Sequence, residues 1–600
     1  MKESPDIHCR VEPSVFQPYS PVSIRVYATI RSSLPENVVL SCQLPNSFLA
    51  FRQSQSHTQQ LQTDDPAVPH FVSFRLLGGQ RDASFKVSVE RREHLTDDLG
   101  EVRHGRRVFA RLSGRALEAG ETVVITFAGM MSPWVANQQE RILVAVDGTP
   151  VEPWPVVRVV GGPAVWHRLI VPSCARPGES FRVMLVSLDE YDNVSSSHFA
   201  EVALALEDGP LLERDISFAG SYETTTSVEE SGIVRLVASG LRGVGYLASG
   251  YQSEAVVSNP IHISTTPQGP YWGDLHAHTF MSADAVGNEP YQYARDVSGL
   301  DFAGVCDHSN AHLPDNWTRI KKWAADFDDP GRFVTILGFE GGSLRGIHHN
   351  LYYRRGDVDI VDGFESERTS YPDEVFRAHL ERHEVLSQLH QSGTCSTDMR
   401  EPFYPQTRLI EIFSSWGQSE YYNPDHALSY EINRVRYPET RLTVSGRGPF
   451  YARDAWAEGK RYVTIASSDD HFGQPGKAHR GIAGVLSSSL SRESIFDSMK
   501  AGQCYGTTGE RILIDFRLNG LPMGSETSAK ECGALDFAFE VHGTDVLSVV
   551  EVFRFRFGSD DGWQSPFVEE FPDVGLKGDR RRDVTGRFRE EFVGPAVYYL

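Results

Sequence analysis

Six hundred residues exceed what one hydrophobic core serves, so about three or four domains are expected. A hydrophobic share of 40% with a charged share of 23% belongs to a folded globular protein. The formal net charge of −22 argues against a nucleic-acid partner, because a phosphate backbone needs a basic surface.

The first stretch reads as β. Val22, Ile24, Val26, Ala28 and Ile30 alternate with polar or small neighbours, as do Phe85, Val87 and Val89, and Val123, Ile125 and Phe127. Turn-rich segments separate these runs, which predicts an N-terminal β-sandwich over residues 1–161, closing at Gly161-Gly162-Pro163. Residues 162–266 repeat the style with Phe181, Val183 and Leu185, then Val202, Leu204 and Leu206, then Ile233-Val234 and Leu236-Val237. Here Asp189-Glu190-Tyr191-Asp192-Asn193 reads as a tight loop and resembles the Asp-x-x-x-Asn loops of bacterial immunoglobulin-like modules, so a second, smaller sandwich is expected.

Ser264 to Pro270 is a linker by composition, and from Tyr271 the pattern changes. Strand candidates are Trp272 to His278, Phe302 to Cys306, Phe333 to Phe339, Asn350 to Tyr353, Val385 to Leu389, Leu409 to Phe413, Tyr462 to Ser467 and Gly481 to Leu486. Between them lie helical patterns over Asp315 to Phe327, Asp373 to Arg382 and Arg492 to Ala501, the last with Ser491 as cap and Gly502 as stop. Strand alternating with helix predicts a parallel α/β barrel over residues 271–512. Residues 513–600 return to β, with a hairpin turn at Asn519-Gly520 and a final strand at Ala596 to Leu600, so a C-terminal β domain is expected, either whole or cut short.

The seven cysteines, Cys9, Cys42, Cys174, Cys306, Cys395, Cys504 and Cys532, are dispersed and form no Cys-x-x-Cys pair. Neither a disulfide framework nor a thiolate zinc knuckle follows. The start, MKESPDIHCRVEPS, has no apolar core, and no run of about 18 apolar residues occurs, so a cytoplasmic protein without a membrane partner is expected.

The chemistry concentrates in His276-Ala277-His278. Two histidines at i and i+2 on an extended segment share a side, so both imidazoles can converge on one ion. More ligand-type residues follow at or near the ends of later apolar runs: Asp284, Asp307-His308, Glu340, His348-His349, His390 and Asp469-Asp470-His471. In a parallel barrel such strand ends meet at one face.

The order of these motifs resembles that of the PHP superfamily, named for polymerase and histidinol phosphatase domains. Gly273-Asp274-Leu275, Ser282-Ala283-Asp284 and Thr507 to Arg511 look like an uncharacterised branch of it, over about residues 271 to 525. The resemblance implies a distorted (β/α)7 barrel and three adjacent metals. The first would be held by His276, His278, Glu340 and Asp469, the second by Glu340, His348 and His390, the third by Asp284, His308 and His471. At the second site His349 is as eligible as His348. Imidazole mixed with carboxylate suits zinc, manganese or iron. Asp274 and Asp307 would orient imidazole N–H groups, and Gln391-Ser392 follows His390 where the branch tends to have an asparagine.

The implied activity is hydrolysis of a small phosphorylated substrate, a phosphate ester or anhydride, by water activated between the metals, with Glu340 and Asp469 at the centre. Arg345, Arg480 and Arg511 flank the motifs, each either an anion clamp or a solvated loop arginine; Arg480 and Arg511 stand as the clamp candidates. A non-catalytic binding scaffold with a relic barrel, and a hydrolase of a C–N or sulfate ester bond, are the rivals. His379, His383, His426 and His479 read as structural histidines, the first two on a charged, solvated helix face, and Cys306 as a packed strand thiol.

Overall fold

The computed structural model describes residues 5–51, 54–58, 61–78, 82–96, 102–136, 140–241, 255–282, 285, 287, 290–308, 314–343, 347–359, 370–436, 446–528, 533–570 and 581–600. The chain forms two compact units, Met1–Ala164 with Leu188–Ser197, and Val165–Ser187 with His198–Leu600. Both are rich in β-structure, and no helix among the described residues is long and apolar enough to cross a membrane.

In the first unit the alternating runs form strands because alternate side chains reach one core. Along Pro21–Ile30, Ile24, Val26, Ala28 and Ile30 are buried while Ser23 and Arg25 are exposed. This strand lies in a four-stranded antiparallel sheet with Ile7–Glu12, Thr122–Met131 and Phe71–Leu76. A five-stranded sheet, ordered Thr149–Pro150, Leu143–Val146, Val39–Gln43, Val102–Ser113 and Ser84–Thr96, faces the same core with Leu40, Cys42, Val108, Ala110 and Val144. The Asp189 loop is tight: Asp189 Oδ1 accepts from the amides of Tyr191 (2.8 Å) and Asn193 (3.0 Å).

The second unit opens with short, mostly antiparallel sheets, in one of which His198–Leu206 pairs with Leu211–Ala219 and Leu236–Ser239. Then comes an eleven-stranded sheet. Its strands are β1 Pro270–Asp274, β2 Phe302–Val305, β3 Val334–Ser343, β4 Ile347–Tyr353, β5 Ser370–Tyr371, β6 Val385–Leu389, β7 Thr407–Ser414, β8 Gly417–Gln418, β9 Val463–Ala466, β10 Ile482–Leu486 and β11 Cys504–Thr507. Among the described residues six helices interrupt them, α1 Pro290–Asp296, α2 Pro314–Phe327, α3 Asp373–Arg382, α4 Tyr430–Arg436, α5 Ala452–Ala457 and α6 Arg492–Lys500. Sheet order is β8-β7-β6-β4-β3-β2-β1-β10-β11, with β5 beside β3 and β9 beside β7.

This sheet corrects the expected all-parallel barrel. β1 with β2, β2 with β3, β6 with β7 and β7 with β9 are parallel, but β4 is antiparallel to both β3 and β6, and β10 to both β1 and β11. The connection from Ser343 to Ile347 is too short for a parallel crossover, so it can only make a hairpin. The sheet curls: a Cβ on Gly506 of β11 would stand 2.6 Å from the Ala466 amide of β9. Beyond β1 the chain stays extended and bonds on both sides, His278 N to Asp470 O (2.7 Å) and Cys306 N to Ala277 O (2.8 Å). The segments after β1, β2 and β9 thus meet.

Helices lie where apolar residues fall on one face. Trp317, Ile320 and Ala324 of α2 are buried, and Ser491 caps α6 by accepting from Ser494 N at 3.2 Å, with Gly502 beyond it at φ 82°. The sequence pattern misses α1, α4 and α5, which are too short to show periodicity. The α3 face expected to be solvated is not: His379 is buried and bonded to the Tyr353 hydroxyl, and its ring stands 4.9 Å from that of His383. Cys306 is a packed thiol donating to Leu275 O at 3.2 Å.

After β11, Leu513–Leu518 and Leu521–Pro522 form a hairpin whose Asn519 and Gly520 both adopt positive φ (50° and 80°), as a type I′ turn needs. The last strands close onto the sheet region. The Arg453 guanidinium lies 4.2 Å from the Tyr421 ring centre and 4.1 Å from that of Phe553. It donates to the Tyr599 hydroxyl (2.6 Å) and to Glu420 (3.1 Å), and Tyr599 also donates to Glu420 (2.6 Å). Trp563 and Tyr599 pack on Trp456 in the core cluster that holds Leu389 of β6 and Ile410 of β7.

Candidate metal centre

His276 and His278 project to one side of the extended segment after β1, with Ala277 buried on the other. Each ring is turned by a partner at Nδ1. His276 Nδ1 donates to Glu411 Oε2 at 3.1 Å, and His278 Nδ1 to Ser282 Oγ at 3.2 Å, whose own proton goes to Asp307 Oδ1 at 2.8 Å. With Nδ1 carrying the proton, Nε2 of each ring presents a lone pair.

Those lone pairs converge. Nε2 of His276 and Nε2 of His278 are 3.2 Å apart. From His276 Nε2, Glu340 Oε2 is at 3.2 Å and Asp469 Oδ1 at 3.4 Å; from His278 Nε2 they are at 3.5 and 3.2 Å. Four acceptors around one point repel unless positive charge lies among them. Ligands held about 2.0 to 2.1 Å from a tetrahedral zinc stand about 3.3 Å from one another, the spacing seen here. Asp469 Oδ1 and both ring nitrogens of His390 are buried without a hydrogen-bond partner, and among the described residues no Lys or Arg pairs with Glu340 or Asp469. The donor set fits a cation.

Two further groups adjoin. His276, Glu340 and His390 offer ligand atoms within 4.8 Å of one another, as do His278, His308 and His471. Glu340 divides its oxygens: Oε2 faces His276 and His278, while Oε1 lies 3.2 Å from His348 Nδ1 and 3.5 Å from His390 Nε2. The rings of His278 and His471 are 4.2 Å apart and those of His278 and His308 4.8 Å. Asp284 and Arg345 lie outside the described residues.

The strands explain the placement. His276, His278, His308, His390, Asp469 and His471 follow the ends of the parallel strands β1, β2, β6 and β9, and Glu340 lies in β3. His348 opens the antiparallel β4, so it reaches the same edge from the other direction. Pleating decides between the two adjacent histidines. His348 faces Glu340 and is half exposed, whereas His349 is buried on the other face, bonded to Ser387 Oγ (2.6 Å) and packed on Phe376 of α3.

Burial acts against charge here, and the neighbours decide the outcome. Burial holds His390 well below the ordinary histidine range and also lowers His278, favouring the neutral, ligating form. For His276 burial is outweighed by the carboxylates of Asp469, Glu411 and Glu340, which hold it well above, so a cation entering the site would take the place of the proton on Nε2. Burial likewise works to raise Asp469 and Glu340, yet the surrounding imidazoles keep both low and ionised.

Several sequence-based roles change. Asp274 bonds backbone rather than an imidazole, and Asp307 reaches the His278 ring only through Ser282. Asp274 accepts the amides of His276, Ser468 and Gly476, and Asp307 the amide and hydroxyl of Thr279, so both fasten backbone. Glu411 takes the orienting role, backed by Gln388 Nε2 (3.0 Å) and, behind it, Tyr352. Its signal was a carboxylate inside the apolar run Leu409 to Phe413. Gln391 donates to Asp469 Oδ2 at 2.6 Å, and both residues hold positive φ (46° and 51°), backbone strain retained at the site. Arg511 is no clamp: its buried guanidinium donates to Ser298 O (2.8 Å) and Gly299 O (2.9 Å). Arg480 donates at 3.4 Å to Ser415 O, next to Trp416, whose ring meets His471 edge-on at 6.4 Å.

No protein-family model matches the chain. It is 26% identical over 324 residues to an uncharacterised protein of Chlamydia pneumoniae, covering 50% of each. An uncharacterised protein of Chlamydia muridarum is 24% identical over 413 residues, 64% of this chain and 63% of that one. The chain therefore spans between 50% and 63% of the length of these relatives. Among solved structures, Yersinia pseudotuberculosis InvD aligns at 12% identity over 44% of this chain and 61% of its own, with a TM-score of 0.20. The Yersinia pseudotuberculosis adhesin InvE aligns at 10% over 64% and 96%, with a TM-score of 0.16. Overlaps this loose carry no argument.

Proposed function

We propose that the chain is a metal-dependent hydrolase of phosphate esters, its curled sheet a variant of the PHP barrel. The observation that carries this reading is the convergence of His276 Nε2, His278 Nε2, Glu340 Oε2 and Asp469 Oδ1, at 3.2 to 3.5 Å from one another wherever an imidazole is one partner. These four would hold one ion. Glu340, His348 and His390 would hold a second, and His308 with His471 a third, joined by Asp284. Zinc, manganese or iron bound there would supply Lewis acidity toward a phosphoryl oxygen and bring the pKa of a water toward neutrality.

The chain's own residues supply orientation and charge. Glu411 and Ser282 fix the tautomers of His276 and His278, so that Nε2 is the ligating atom in each. Glu340, with one oxygen toward each side, couples the first position to the second. Gln391 holds Asp469 in place from outside. An anionic substrate is repelled by Glu340 and Asp469 unless cations offset them, so substrate binding depends on metal loading. Arg480, beside Trp416, is the side chain suited to meet negative charge on the transferring group.

The test is metal analysis of the purified protein, followed by assays after loading with zinc, manganese or iron against phosphate, sulfate and amide substrates. Bound metal and phosphoester hydrolysis that a chelator abolishes is the expected result. Turnover of only sulfate esters or amides moves the chemistry to another bond, and metal bound without any turnover favours the scaffold reading. A protein that binds no transition metal sinks the proposal.

A further inference from the structure

The outward face of the five-stranded sheet in the first unit is concave, and its register shows why. Across one outward row Pro150 pairs with Ala145, Ala145 with Ser41 and Ser41 with Phe109. Two small side chains in the middle sink the row between a proline bank and an aromatic one. Trp154 adds a second aromatic wall, and the cavity holds about 390 Å³, within the range of small-molecule sites.

The ends of this trough are polar. At one end Arg107 donates from Nε (3.1 Å) and from one terminal nitrogen (2.9 Å) to Gln43 Oε1, fewer bonds than a guanidinium can make. At the other end Asp147 is fastened by the Val39 amide to its Oδ1 at 2.9 Å. One arginine and one aspartate leave the lining without net charge, which disfavours a phosphate or an acidic peptide.

We propose that this trough binds a neutral hexose unit of an oligosaccharide or polysaccharide. A pyranose ring has apolar C–H faces, which match Phe109 and Trp154, and a rim of hydroxyls, which match Arg107, Gln43 and Asp147. A lipid chain would leave the polar ends unmatched. The site is separate from the metal centre and stands whether or not that centre is catalytic.

The full chain is run in native gels cast with amylose, mixed-linkage β-glucan, xyloglucan or galactomannan, and its tryptophan fluorescence is titrated with maltohexaose and cellohexaose. Retardation by at least one polysaccharide is expected, weakened tenfold or more by Trp154→Ala and equally by Ala145→Phe, which fills the trough while removing nothing. If Trp154→Ala proves unfolded in a thermal melt, Ala145→Phe decides alone. Absence of retardation and of any fluorescence change, binding that survives Ala145→Phe, or a response to a polyproline peptide in place of the sugars overturns the proposal.

Discussion

Glu411 Oε2 stands 3.1 Å from Nδ1 of His276, and Glu340 Oε2 stands 3.2 Å from Nε2 of the same ring, so one imidazole joins a carboxylate behind the site to a carboxylate within it. Glu411→Gln keeps the shape but weakens the charge-assisted bond that fixes the ring. A loss of about 10- to 100-fold in metal affinity is expected, with the melting transition little changed. Competition against a chromophoric chelator measures it; unaltered affinity would show that Glu411 serves packing alone.

Glu340→Gln should be more damaging, because Glu340 faces His276 and His278 with one oxygen and His348 and His390 with the other. Metal content should drop at both positions, and phosphoester turnover by at least about 100-fold. Full occupancy together with full turnover would remove Glu340 from the shared position.

The adjacent histidines of β4 make an internal control. His348→Ala touches a half-exposed ring and should lower metal content with little effect on stability. His349→Ala removes a buried ring bonded to Ser387 and should cost about 1 to 3 kcal/mol in urea unfolding while metal content holds. The opposite pairing of effects would reverse the assignment.

His471 packs on His278 at 4.2 Å and forms a group with His278 and His308. His471→Ala should reduce kcat by about 100-fold while most metal at the other two positions stays bound. Metal stoichiometry and turnover measured on one preparation decide: an ion lost with kcat intact makes this group structural.

A pH effect should arise at a histidine that is not among the candidate metal ligands. Burial beside Phe199 pushes the His167 pKa down to about 4, and its Nδ1 bonds Ser187 Oγ at 2.8 Å. Above pH 6.5 the ring is neutral in both folded and unfolded chains. Between about 6.5 and 4 the unfolded chain takes up a proton that the folded one refuses, so stability falls by about 1.4 kcal/mol for each pH unit of acidification. Urea unfolding at pH 7.5, 6.0 and 5.0 should show a shallower decline for His167→Phe; equal slopes would mean the folded ring is already protonated.

Much of the fold was legible in the sequence, since period-two alternation marks half-buried strands such as Pro21–Ile30, and Val385–Leu389 falls where its apolar run does. Strand direction was not. Nothing in the run Ile347–Tyr353 says whether it pairs parallel or antiparallel; only the short link from Ser343 does. At the site, residue types that rarely occur buried without a partner, His276, Glu340 and Asp469, announced themselves. Which carboxylate turns which imidazole was hidden, because Asp274 and Asp307 adjoin histidines in sequence while Glu411 adjoins His276 only in space.

The clasp of Arg453 between Tyr421 and Phe553, with Tyr599 bonded to Glu420, bears on how the protein can be dissected. A fragment cut after residue 512 would keep Trp456 and lose Trp563 and Tyr599, which pack on it. The aromatic floor beneath β6 and β7 would then open to water. Such a fragment would be sticky, so failure of a trimmed version to bind metal would not count against the centre itself.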